Sequence, residues 1–87
     1  VTEDTLFLII RTRQEIVFQG EIRSISSVNE KGPFDILSRH AYFISLIQKN
    51  LVIVQMDHQK QEIKIEVGII VVEDNKVRVY LETQIPS

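Results

Sequence analysis

The chain has 87 residues, no cysteine, and ten Lys and Arg against twelve Asp and Glu, for a net charge of −2. That length makes one domain, residues 1–87, with a thin core that buries about 60–65% of the surface exposed on unfolding. The missing cysteines exclude a disulfide framework, a thiolate zinc site and a thiol nucleophile, and no basic stripe is present to displace counterions from a nucleic acid.

From the N-terminus, Glu3 and Asp4 stand where a signal peptide would carry basic residues. The apolar run Leu6 to Ile10 is far short of the roughly 20 residues that span a bilayer, so no direct membrane insertion is expected. Gln19-Gly20 is expected to close a hairpin between Glu15–Phe18 and Glu21–Val28. Ile22, Ile25 and Val28 are spaced by three, but Ser24, Ser26 and Ser27 are poor helix formers, so a bulged strand is expected there. Asn29-Glu30-Lys31-Gly32-Pro33 is the strongest turn signal, with glycine supplying an unusual φ and proline fixing its own.

Leu51 to Met56 is nearly continuous apolar sequence, expected to be a strand buried on both sides. The polar stretch Asp57 to Lys60 then fits a hairpin loop. Ile63, Ile65 and Val67 alternate with Lys64 and Glu66, as in a strand with one buried and one wetted face. Gly68 interrupts that apolar run and points to a kink or the close approach of another backbone. Ile69 to Val72 again reads as buried on both sides, Asp74-Asn75-Lys76 as a turn, and Val77, Val79 and Leu81 as a final alternating strand. The expected fold is all-β, a two-sheet β-sandwich of about ten short strands with little or no helix.

Chemistry finds little support. His40 and His58 lack the spacing of a zinc motif, and His58 sits in a polar turn. Ser38 and Ser45 have no nucleophile-elbow glycines. Glu30 and Asp35 flank a glycine-proline turn as ordinary loop carboxylates, and no phosphate-cradling glycine loop occurs. The chain is expected to be no enzyme on its own and to need no cofactor or metal. The segment Phe34-Asp35-Ile36-Leu37-Ser38-Arg39-His40-Ala41 mixes apolar and charged groups. Its apolar members fit a short core strand, and the mixture also suits a protein contact.

That segment resembles the G-I-L-P-G-H-A stretch of the epsilon subunit of F-type ATP synthases, called delta in mitochondria. Val17-Phe18-Gln19-Gly20-Glu21-Ile22, Glu66 to Val72 and Lys76-Val77-Arg78-Val79 match further blocks of that family, at agreeing spacings from Phe18 to Thr83. Ser38-Arg39 stands where Pro-Gly is usual, Asn50 and Val67 replace glycines, and Thr12-Arg13-Gln14 replaces the usual start.

The resemblance implies a non-catalytic rotor subunit of the central stalk, linking the gamma subunit to the c-ring and coupling ion transport to ATP synthesis. It implies a peripheral place at the cytoplasmic face of the cell membrane, with Phe34, Asp35, Ser38, Arg39, His40 and Ala41 as candidate contacts to the c-ring or stalk. The family's C-terminal helix pair would begin near Gln84 to Ser87, so no inhibitory or nucleotide-binding role is carried over. The alternative is a free-standing β-sandwich interaction domain that self-associates or pairs at a sheet edge.

Overall fold

The computed structural model describes residues 5–38 and 42–82. It is all-β: β1 (Leu6–Arg11), β2 (Ile16–Asn29), β3 (Gly32–Leu37), β4 (Tyr42–Gln55), β5 (Lys60–Glu73) and β6 (Lys76–Leu81). Among the described residues no helix is long and apolar enough to cross a membrane.

The six strands form one sheet in the order β1-β6-β5-β4-β2-β3, and β1 also pairs with β2. That extra pairing closes the sheet on itself like a flattened barrel. β1 and β6 run parallel, while every other pair is antiparallel. The described chain therefore has six strands in one closed sheet, not about ten in two.

The difference lies in three strands of 14 residues each, β2, β4 and β5. Gln19-Gly20 makes no turn: both residues lie inside β2, opposite Ile9 and Leu8. A strand of that length would extend about 43–46 Å if straight, yet the longest dimension of the molecule is 38 Å. The long strands must bend, and they do so at bulges rather than at turns.

Two of the bulges repair an apolar spacing that strict alternation would break. Ile22 pairs with Gln55 and Ser24 with Val54, which leaves Arg23 as the extra residue. Ile22 and Ile25, three apart, can then both face inward, and both are fully buried. On β5 the register steps from Val67 to Ile65, skipping Glu66. Ile65 and Gly68 consequently share the inner side, with Ile70 and Val72 following. Opposite Ile65, beside the skipped Glu66, Lys49 adopts φ 75°, a left-handed conformation that marks the sharp bend of β4. Buried Ser27 donates its Oγ hydrogen to the Asn50 carbonyl at 2.7 Å, tying β2 to that bend.

The core fills the interior with side chains from all six strands, among them Leu8, Ile22, Ile36, Ile53, Ile70 and Val79. Burying each such side chain contributes roughly 1.5–3 kcal/mol. Two other turns lie where the composition placed them: Glu30-Lys31 leads into Gly32 at φ 118°, and Asp74-Asn75 joins β5 to β6.

The β1–β2 turn is held by Thr12, which is only 4% exposed. Its Oγ1 accepts from the amides of Gln14 at 3.2 Å and Glu15 at 3.3 Å. Its own amide donates to the Glu15 carbonyl at 2.9 Å. Thr12→Val keeps the volume but removes the acceptor, and is expected to cost about 1–2 kcal/mol in urea unfolding. A midpoint equal to that of the parent chain would show that the hydroxyl holds nothing.

Candidate functional site

The predicted contact segment lies on β3 and the connection to β4. β3 pairs with β2 along one edge only, from Gly32 opposite Asn29 to Leu37 opposite Ser24. Ile36 faces the core. Phe34 is half-buried, its ring centroid 5.2 Å from that of Phe43 at a tilt of 53°. Asp35 points outward and accepts a hydrogen bond from Ser26 Oγ, which occupies the carboxylate structurally. Leu37 departs from the core role expected for it: it is 61% exposed. Arg39, His40 and Ala41 lie outside the described residues, so of the six predicted contacts the structure places Phe34, Asp35 and Ser38.

The other chemical candidates stay apart. His58 is exposed in the β4–β5 turn at φ 70°, with its backbone amide bonded to the Gln55 carbonyl at 2.9 Å. Ser45 accepts from Asn29 Nδ2 and donates to the Leu46 carbonyl, so its hydroxyl is engaged on both sides. Among the described residues no three His, Asp or Glu side chains converge as metal ligands would.

A second surface emerges from the pairing of β4, β5 and β6. Leu46 lies opposite Ile69, and Ile69 opposite Tyr80, so these three form a row across the outer side. Ile44, opposite Val71, extends the patch along β4, and Val67 extends it along β5. Ile44 and Leu46 are 73% and 65% exposed, and Val67, Ile69 and Tyr80 each 41–42%. An open groove of about 500 Å³ crosses this surface between Arg13 and Glu82, with Leu46, Ile69 and Tyr80 on its walls. Arg78 and Glu73 pair at 3.1 Å beside it. An apolar centre with a charged border is the composition of a protein interface.

The sequence held a signal for this surface, but the expected burial was wrong. Ile69 to Val72 is not covered on both sides: Ile70 and Val72 are buried, whereas Ile69 points outward. Leu51 to Met56 behaves similarly, with Val52 and Val54 only half-buried and Met56 exposed beyond the strand end. A strand apolar on both sides implies two covers, and this chain supplies one.

Residues 5–87 match the family described as the β-sandwich domain of the ATP synthase delta/epsilon chain. The chain belongs to that family. Its similarity to the ATP synthase epsilon chain of a Nitratiruptor species is 32% identity over 84 residues, covering 95% of this chain and 65% of that one. The epsilon chain of Protochlamydia amoebophila is 34% identical over 73 residues, covering 83% and 50% of the two chains. This member of the family thus spans about two thirds or less of the length of those relatives. A chain in the cryo-EM structure of the Euglena gracilis mitochondrial ATP synthase (OSCP/F1/c-ring) shares the fold at a TM-score of 0.88, with 18% identity over 99% of this chain and 56% of that one. A chain in the Tetrahymena thermophila central stalk/c-ring structure gives a TM-score of 0.72 at 10% identity, covering 95% and 67%.

Proposed function

We propose that this chain is a non-catalytic rotor element of an F-type ATP synthase, the part of an epsilon subunit that joins the gamma subunit of the central stalk to the c-ring. In this role it passes torque between ion transport and ATP synthesis without turnover of its own. It works as one domain, peripheral to the cytoplasmic face of the cell membrane. The observation that carries the reading is the exposed apolar row Leu46, Ile69 and Tyr80 with Ile44 beside it, on a chain whose curated relatives are epsilon chains.

The apolar row is assigned to gamma and the rim from Phe34 to Ala41 to the c-ring, with Phe34, Asp35, Ser38, Arg39, His40 and Ala41 as the contacts. The bulges also suggest how the family's two stacked sheets correspond to this fold. Each 14-residue strand counts twice, once on either side of its bend, which brings the number near ten.

The test is binding to the gamma subunit of the same synthase by co-elution and calorimetry. The double variant Ile44→Lys, Leu46→Lys places two charges where both side chains are exposed, so its circular dichroism and melting should match the parent. Its affinity for gamma is expected to fall by roughly a hundredfold or more, as when two central interface residues are lost. A parent chain that ignores gamma at micromolar concentration, or a double variant that binds as well as the parent, would overturn the assignment.

A further inference from the structure

Between Tyr42 and Gln48, β4 pairs with β5 along one edge. On its other edge β2 reaches only as far as Gln48, opposite Val28. Among the described residues no strand pairs with Ile44 to Ile47 on that side. An open groove of about 400 Å³ lies there instead, lined by Asn29 at the end of β2, Glu30 of the β2–β3 turn, Ile44 to Gln48 and Val67 of β5, with Asn29 Nδ2 bonded to Ser45 Oγ at 3.1 Å.

An unpaired strand edge presents a row of amides and carbonyls that can template another strand, and soluble proteins usually guard it with charge, proline or a bulge. β3, the outermost strand of the order, carries Pro33 and Asp35. β4 has no such guard from Tyr42 to Gln48, where no residue is charged and none is proline. Its outward side chains Tyr42, Ile44 and Leu46 are the three most exposed large apolar groups described, at 71%, 73% and 65%.

Charge selects the occupant. Glu30 is the one charged side chain among the described residues lining the groove, and it makes no ion pair among them. A second copy pairing with itself about a two-fold near Ser45 would bring both Glu30 side chains beside the same short segment, with no cation between Tyr42 and Gln48 to face them. Like charges so placed oppose association.

We propose that the outer edge of β4 accepts one extended strand from the stalk partner, free of proline, apolar at alternate positions and bearing a lysine or arginine that meets Glu30. This rests on the rotor-stalk reading and specifies how the partner is held: backbone hydrogen bonds to Ile44–Ile47 provide affinity, and Glu30 sets the register. The added strand would carry its apolar side chains beside Ile44 and Leu46 and widen the apolar face.

The experiment is amide hydrogen exchange on the full chain, alone and saturated with gamma, together with the affinities of Glu30→Lys and the control Asp57→Lys. Amides within Ile44–Ile47 that face the groove are expected to slow by about tenfold or more in the complex, because pairing turns open amides into closed ones. Glu30→Lys is expected to weaken binding roughly tenfold, while Asp57→Lys, in the distant β4–β5 turn, leaves it unchanged. A tight complex without protection of these amides, or one indifferent to Glu30→Lys, overturns strand addition while the stalk reading stands. Protection that appears without gamma, alongside a dimer in sedimentation, assigns the edge to a second copy and overturns the proposal. Absence of any complex overturns the stalk reading and this inference with it.

Discussion

Gly68→Val is expected to destabilise the fold by about 3 kcal/mol, a loss of roughly 12–24 °C in melting temperature for a domain of this size. Gly68 faces the interior, paired with Leu81 of β6. A Cβ at this position would lie 2.9 Å from the Tyr80 carbonyl oxygen and 2.9 Å from Leu81 Cδ2. The Leu81 side chain could turn away, but the carbonyl belongs to the β5–β6 ladder and can retreat only by spreading the two strands. Gly68→Ala already introduces this clash and should cost about 2 kcal/mol. Thermal melts of the two variants decide the matter: a Gly68→Ala protein within about 0.5 kcal/mol of the parent would mean that the strands have room to spare.

The second large effect is expected at Leu8, where Leu8→Ala should remove about 3–4 kcal/mol. Leu8 is fully buried in the middle of β1, opposite Gly20 of β2 and Val77 of β6. Gly20 has no side chain with which to fill the space left behind. A domain of this size has a total stability of roughly 4–13 kcal/mol, so this one truncation removes a large share of it. Leu37→Ala, at a residue 61% exposed, should change stability by less than about 0.5 kcal/mol. Urea unfolding that ranked the two alike would show that burial does not set the energetics here.

Period-two alternation made the β class legible, because each strand buries one side and solvates the other over most of its length. Gly68 was legible in part: glycine inside an apolar run pointed to a kink or to the close approach of another backbone, and the Tyr80 carbonyl supplies the close approach. The spacing of Ile22 and Ile25 correctly indicated a bulge. Strand number was not legible, since Gln19-Gly20 looks like a turn locally while pairing with β1 holds it extended. Closure by β1 and β6 was equally hidden, because local sequence carries no mark of which distant strand lies alongside.

Exposure failed for a different reason. Ile69 and Ile70 are the same residue type in one apolar run, and only the sheet's curvature decides that Ile70 meets the core while Ile69 faces outward. The contact segment was half legible: Ile36 belongs to the core as expected, whereas Leu37 does not. Chemistry alone could not separate these neighbours, because alternation states that they differ without stating which one turns inward.

The parallel pairing of β1 with β6, in which Leu8 meets Val77, bears on how the molecule is made. In synthesis β1 cannot acquire its second neighbour until β6 has followed it out of the ribosome. Contacts so far apart in the chain slow folding, since the entropy of the intervening loop is lost before the contact forms. During translation β1 has only β2 to hold it, with one flank bare, and a chaperone or a neighbouring nascent chain could occupy that flank first.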